Sequence, residues 1–207
     1  MARRWRYTAE QAIARTGQRI LFGFEVEGRE NVPLEGACIL AANHKSYLDP
    51  PAVGCCLERE IRYFAKKELF DIPVISTIIR DCGAFPVNRG SFDKTTFRNS
   101  IKLLRAGQAL LLFPEGTRIR RKEFGKPKEG VSMLALQANV PVIPVWVGHT
   151  WEPRRGLFRR IPIRVRFGNA LNFTALSPDQ DRRERYREVA EAIMSAIAQL
   201  ERTENPT

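Results

Sequence analysis

A histidine and an aspartate lie five positions apart, directly after a run of apolar residues. The run, residues 38–42, predicts a buried strand, and His44 and Asp49 follow it, with Pro50 next. A histidine can take up a proton near neutral pH, and a nearby carboxylate can fix its tautomer and stabilise the imidazolium. On one helix the two side chains would point about 140° apart, so they can meet only across a turn. Proton abstraction is one interpretation; a structural histidine and an Asp49 that caps a helix starting at Pro50 are the other.

Charged residues also follow two other predicted strands, residues 84–87 and 109–113. Arg89 follows the first, and Glu115, Gly116, Thr117 and Arg118 follow the second. Glycine permits close backbone approach, and arginine offers a fork of donors that suits phosphate oxygens. Lys126 and Lys128 extend the positive charge, although a solvated basic loop would have the same composition. These residues are candidates for binding an anionic substrate.

Helical and strand patterns alternate along the chain. Helices are predicted over residues 8–22, 51–59, 72–80, 91–106, 131–139 and 179–202, and strands over residues 38–42, 61–65, 84–87, 109–113, 140–148 and 163–167, with a strand-like stretch from Glu25. This alternation predicts an α/β domain whose mixed, largely parallel sheet is covered by helices on both faces. Because loops after parallel strands meet at one edge of such a sheet, the charged loops should form a single site.

The 207 residues fit one folded domain, with 43% hydrophobic and 28% charged residues, and carry a net charge of +11. The positive charge is concentrated in residues 1–24, 118–130 and 151–171. Such a distribution favours an anionic partner: a nucleic acid, a phosphorylated substrate or an anionic lipid surface. Within residues 1–24 the predicted helix is basic and amphipathic, so it is either packed on the domain or lies on a membrane surface.

Metal binding and membrane spanning are not indicated. The four cysteines form no Cys-x-x-Cys pair and there are only two histidines, so no metal site is expected and the cysteines are interpreted as reduced thiols. No run of about 18 apolar residues predicts a membrane-spanning helix.

Four sequence blocks, in order, resemble the glycerolipid acyltransferase family, in particular the 1-acyl-sn-glycerol-3-phosphate acyltransferases. The first is Asn43-His44 followed by Asp49, and the third is Phe-Pro-Glu-Gly-Thr-Arg at residues 113–118. Residues 83–89 are similar to the family's second block and residues 140–145 to its fourth. The resemblance covers roughly residues 25–171, and we expect one acyltransferase domain over residues 25–207.

The resemblance implies an enzyme that moves a fatty acyl group from acyl-CoA or acyl carrier protein to the hydroxyl of 1-acyl-sn-glycerol 3-phosphate, forming phosphatidic acid. His44 would be the general base and Asp49 would orient it. The remaining site residues would bind the acceptor: Arg89, Glu115, Gly116, Thr117, Arg118 and Lys128. No cofactor is implied, because the thioester is already activated.

Two alternatives stay open on the sequence. Asn88 precedes Arg89 in the second block, where an apolar residue and often an acid are more usual in the family, so the acceptor could instead be glycerol 3-phosphate or another lysolipid. A basic module without catalytic activity could bind anionic lipid or RNA, although no nucleic-acid motif is present and nucleic acid is not expected as a partner. The lipid products imply peripheral attachment to the cytoplasmic face of an anionic membrane.

Overall fold

Three short apolar segments form the centre of a single sheet. Every residue of β2 (Cys38–Ala42), β5 (Ala109–Leu112) and β6 (Val142–Gly148) is buried, as expected for strands covered on both faces. The computed structural model describes residues 24–73, 76, 79, 83–87, 94–121, 123–151, 162–173 and 181–202. Four further strands complete the sheet: β1 (Phe24–Glu27), β3 (Ile61–Lys66), β4 (Ala84–Val87) and β7 (Ile163–Phe167).

The strand order across the sheet is β1-β7-β6-β2-β5-β3-β4. All neighbouring strands are parallel except β6 and β7, which are antiparallel. The five strands from β6 to β4 therefore run in one direction and end at the same edge. The predicted α/β fold with a mixed, largely parallel sheet is confirmed.

Helices cover both faces of the sheet. The described helices are α1 (Asp49–Cys55), α2 (Lys94–Arg105), α3 (Gly130–Ala138) and α4 (Arg182–Arg202), with short 3₁₀ segments at Arg29–Asn31 and Lys67–Asp71. Alternate side chains of β2 enter two different cores. Leu40 packs on the face that α1 covers, whereas Ile39 packs with side chains of α2, α3 and α4.

The first helix differs most from its predicted bounds of 51–59. It begins at Asp49 and ends at Cys55. Both prolines fit the first turn, because the N–H groups there have no partner within the helix. In the segment predicted as a helix over 72–80, Pro73, Ser76 and Ile79 are helical, whereas Ile72 lies in a bend.

Several predicted features fall outside the described residues. They are the basic helix over residues 8–22, Arg89, Cys82 and residues 152–161 of the basic segment 151–171. Three cysteines that the structure describes, Cys38, Cys55 and Cys56, are free thiols. None of the described helices is both long enough and apolar enough to cross a membrane.

Candidate active site

The loops after β2, β5 and β6 leave the sheet side by side. In the sheet β2 lies between β5 and β6 and is parallel to both. Residues 43–48, 113–121 and 149–151 therefore start from adjacent positions on one edge, while β4 ends two strands beyond β5. The sequence-based expectation that His44 and the 113–118 segment leave the same edge is met.

His44 and Asp49 are in direct contact. Nδ1 of His44 lies 2.9 Å from Oδ2 of Asp49, and the imidazole stacks on the ring of Phe113 with centroids 3.9 Å apart and planes inclined by 19°. The histidine side chain is 17% exposed. Nδ1 faces the carboxylate, and no described residue hydrogen-bonds Nε2, so Nε2 is the ring nitrogen that a substrate can use.

Asp49 is fully buried and accepts hydrogen bonds on both oxygens. Besides the contact with His44, Oδ2 accepts from the backbone N–H groups of Lys45 and Ser46, each at 2.7 Å, and Oδ1 accepts from the hydroxyl of Thr150. The prediction that Asp49 caps the following helix is wrong. Asp49 is the first residue of α1, and its side chain turns back to the preceding loop, so the helix has no side-chain cap.

Glu115 is buried and holds two backbone segments together. It is 2% exposed. One carboxylate oxygen accepts the backbone N–H of His44 at 2.7 Å, and the other accepts the backbone N–H of Gly125 at 2.8 Å. With both oxygens occupied, Glu115 contacts the backbone of His44 rather than an open surface.

Lys45 links the same two loops through its side chain. Its Nζ donates to the backbone carbonyl of Arg121 at 2.7 Å and lies 5.3 Å from the ring centroid of Phe124. Burial lowers the pKa of this ammonium, an effect that nearby carboxylates, Glu201 first among them, oppose. Arg121 and Phe124 thus contact the loop that carries His44.

Asn43 fixes the start of this loop. Its amide group donates to the backbone carbonyl of Val147 at 2.9 Å and accepts from the N–H of the same residue at 2.7 Å. The side chain therefore continues the hydrogen bonding between neighbouring strands one residue beyond the end of β2. This contact determines where His44 leaves the sheet.

Gly116, Thr117 and Arg118, three of the residues proposed to bind the acceptor, lie in the turn after β5. The N–H of Gly116 donates to the carbonyl of Phe113 at 2.9 Å, and the backbone φ of Gly116 is 64°, which favours glycine. A Cβ at Gly116 would lie 2.9 Å from Cδ of Lys128. Thr117 is exposed, and the guanidinium carbon of Arg118 lies 3.6 Å from the ring centroid of Tyr47.

A separate cleft of about 250 Å³ opens beside β4. Its described lining residues are Lys67, Phe85, Pro86, Val87, Thr95, Thr96 and Asn99. The described lining includes neither His44 nor Asp49. Three of its lining residues belong to β4, the strand that precedes Arg89 in the sequence. In the described part of the chain, no group of three His, Cys, Asp or Glu side chains could hold a metal ion.

Seven of the eight predicted site residues lie in or next to the loops that follow β2 and β5, and these two loops are hydrogen-bonded to each other. The eighth, Arg89, is not described. Sequence reasoning assigned no role to Asn43, Lys45, Tyr47, Phe113 or Thr150. Asn43 and Phe113 carried a usable signal: Asn43 directly follows the predicted strand at residues 38–42, and Phe113 was predicted as the last residue of the strand at 109–113. Thr150 had none, because its partner Asp49 is 101 positions away.

This fold and site define a class of α/β enzyme with a histidine–aspartate pair on the carboxyl edge of the sheet. A family model described as Acyltransferase matches residues 23–148. The chain belongs to the glycerolipid acyltransferase family and is an O-acyltransferase. The alternative of a basic module without catalytic activity is therefore set aside.

Individual relatives agree with this assignment. The 1-acyl-sn-glycerol-3-phosphate acyltransferase of Bacillus subtilis is 30% identical over 180 residues, which are 86% of this chain and 88% of that protein. The enzyme of the same name from Streptococcus pneumoniae is 28% identical over 79% of this chain and 60% of its own length. The crystal structure of the 1-acyl-sn-glycerophosphate (LPA) acyltransferase PlsC from Thermotoga maritima has a TM-score of 0.77 and 23% identity, covering all of this chain and 83% of that one. This last similarity concerns the fold.

Proposed function

We propose that this acyltransferase transfers a fatty acyl group from acyl-CoA or acyl carrier protein to the free hydroxyl of 1-acyl-sn-glycerol 3-phosphate, forming phosphatidic acid. The observation that carries the proposal is the pair of His44 and buried Asp49, 2.9 Å apart, next to the turn that bears Arg118. A base and a phosphate-binding group then lie on adjacent loops. The names of the similar enzymes point to the same acceptor.

The proposed chemistry is general-base catalysis of acyl transfer. Nε2 of His44 accepts the proton of the acceptor hydroxyl, while Nδ1–H donates to Asp49, which stabilises the imidazolium. The hydroxyl oxygen attacks the thioester carbonyl to give a tetrahedral oxyanion. Collapse of this intermediate breaks the C–S bond, and the leaving thiolate takes the proton back from Nε2, so the histidine returns to its neutral form.

Glu115 supports this chemistry through the backbone. Its carboxylate holds the N–H of His44 at 2.7 Å and the N–H of Gly125 at 2.8 Å. The sequence-based hypothesis placed Glu115 at the acceptor. Its burial and its two backbone partners favour a positioning role, because displacement of His44 by even about 1 Å can greatly reduce turnover.

The acceptor phosphate is proposed to bind at the turn after β5. Arg118 supplies the guanidinium, and the side chain of Lys128 packs beside Gly116 and adds a second positive charge. Gly116 and Thr117 are exposed, so the turn can be approached by a substrate. Arg89 is proposed as a further phosphate ligand on sequence grounds.

Attachment to a membrane is proposed to be peripheral, at the cytoplasmic face. Residues 1–24 and 151–171 carry eleven arginines and two glutamates, and basic residues near an anionic leaflet each contribute about 1 kcal/mol. We expect residues 1–24 to form a basic amphipathic helix on the lipid surface and residues 25–207 to form the catalytic domain. Binding to vesicles with and without anionic lipid, measured by sedimentation, tests this expectation.

Release of free thiol tests the proposed reaction. Purified protein is mixed with acyl-CoA or acyl carrier protein of several chain lengths and with a panel of acceptors: lysophosphatidic acid, glycerol 3-phosphate, other lysophospholipids and monoacylglycerol. We expect the fastest release with lysophosphatidic acid. Faster release with glycerol 3-phosphate or another lysolipid would replace the proposed acceptor.

Replacing Arg118 by alanine should weaken the use of phosphorylated acceptors. Hydrogen bonds to charged groups contribute about 1.5–3 kcal/mol, so kcat/KM for lysophosphatidic acid should fall by about 10- to 150-fold, mainly through KM. The matched control is Arg120→Ala, because Arg120 is an exposed arginine two positions further along the chain. An equal loss with monoacylglycerol would argue against phosphate binding by Arg118.

A further inference from the structure

Tyr47 and Arg118 form a close stack beside the histidine–aspartate pair. The guanidinium carbon lies 3.6 Å from the ring centroid, well within the ~6 Å range of a cation–π contact. Tyr47 is 63% exposed. The stack is therefore a contact at the surface, and the position of the ring is not dictated by burial in the core.

The geometry leaves the donors of the guanidinium free. A guanidinium is planar and its N–H bonds point outward in that plane, whereas the contact with Tyr47 uses its face. Within the described part of the chain, Arg118 forms no hydrogen bond or ion pair through its side chain. A long side chain without such a partner loses much conformational freedom when it binds a ligand. The contact with the aromatic ring already restricts the side chain of Arg118 before binding, so less freedom is lost when the ligand binds.

Both residues sit on backbone that is tied to the site. The N–H of Ser46, next to Tyr47, donates to Asp49 at 2.7 Å. The N–H of Ile119, next to Arg118, donates to the carbonyl of His44 at 2.7 Å. The stack thus joins two segments that are each hydrogen-bonded to the histidine–aspartate loop, and this fixes the guanidinium relative to His44.

We propose that Tyr47 is a positioning residue for the acceptor: its ring holds the Arg118 guanidinium with its donor edge open to the acceptor phosphate. This inference rests on the proposed function. It makes Tyr47 a determinant of specificity for phosphorylated over non-phosphorylated acceptors, acting only through Arg118.

A double-mutant cycle tests the inference. Tyr47→Leu removes the ring at an exposed position, Tyr47→Phe keeps it, and each is made with and without Arg118→Ala. We expect Tyr47→Leu to raise KM for lysophosphatidic acid about two- to fivefold, the effect of an exposed cation–π contact, at unchanged kcat. Tyr47→Phe should stay near wild type, and Tyr47→Leu should have no further effect when Arg118 is already alanine.

Two results of the cycle would overturn the inference. If Tyr47→Leu raised KM for monoacylglycerol as much as for lysophosphatidic acid, the tyrosine would be an apolar contact for lipid. If its effect persisted in the Arg118→Ala background, it would not act through the arginine.

A measurement without turnover separates this inference from the proposed function. The Nε–Hε signal of Arg118, identified by its loss in Arg118→Ala, is followed by NMR in the full chain during titration with glycerol 3-phosphate. Tyr47→Leu should shift the signal and weaken binding about two- to fivefold, whereas Tyr47→Phe should not weaken it. If Tyr47→Leu weakened binding of glycerol 3-phosphate as expected but wild type did not acylate lysophosphatidic acid, the proposed function would be wrong and the positioning role would stand. Equal affinity in wild type and Tyr47→Leu would overturn the positioning role.

Discussion

Replacing His44 by alanine should lower kcat by about 10²- to 10⁴-fold, because general-base assistance contributes that much to a rate. The free energy of unfolding should change by about 1 kcal/mol or less. Asp49 keeps three donors without the imidazole, namely two backbone N–H groups and the hydroxyl of Thr150, so its buried carboxylate remains satisfied. Thiol-release kinetics and urea unfolding measure the two quantities on the same preparation.

The matched control is the second histidine of the chain. His149 has a backbone φ of 63° and packs edge-on against Trp146, with ring centroids 6.3 Å apart. His149→Asn suits this left-handed conformation, which asparagine tolerates, and should leave kcat within about twofold of wild type. If His44→Ala retained wild-type kcat, His44 would not be the base.

Replacing Asp49 by asparagine should reduce both activity and stability. Each of the four partners of the carboxylate donates a hydrogen bond or can do so, and an amide NH₂ group cannot accept from any of them. One or more buried donors would lose their acceptor, which costs about 1–3 kcal/mol of unfolding free energy. The carboxylate that fixes the tautomer of His44 would also be gone, so kcat should fall by about 10²- to 10⁴-fold.

The two substitutions thus differ in their effect on stability, which separates the two residues. Urea unfolding should show a lower midpoint for Asp49→Asn and a nearly unchanged one for His44→Ala. A stable Asp49→Asn variant with full activity would mean that neither the hydrogen bonds nor the charge matter. A destabilised but fully active variant would restrict Asp49 to holding the loop.

Two features could be predicted from the sequence for the same physical reason: the fold, and the closeness of His44 to the segment at 113–118. Strands buried on both faces, such as residues 38–42 and 109–112, are apolar throughout, and charged residues appear only where such strands end. Parallel strands then bring these ends to one edge of the sheet. Local composition was sufficient for both conclusions.

The local sequence could not determine the partners of the carboxylates. An aspartate before a proline suits a helix cap, and only the contact with Thr150, 101 positions away, and the bonds to the preceding loop show that Asp49 serves another purpose. Glu115 similarly looks like a residue of an exposed turn. Its partners are 71 and 10 positions away, so its inward direction depends on how the loops pack.

The central claim is that the histidine–aspartate pair drives acyl transfer to a lysophosphatidic acid hydroxyl. The most direct measurement follows free thiol and phosphatidic acid together, in the same reaction, for wild type and His44→Ala. We predict one thiol released for each phosphatidic acid formed by wild type, and both products reduced in parallel by about 10²-fold or more for His44→Ala. Thiol release by wild type without phosphatidic acid, or equal phosphatidic acid formation by the two proteins, would contradict the claim.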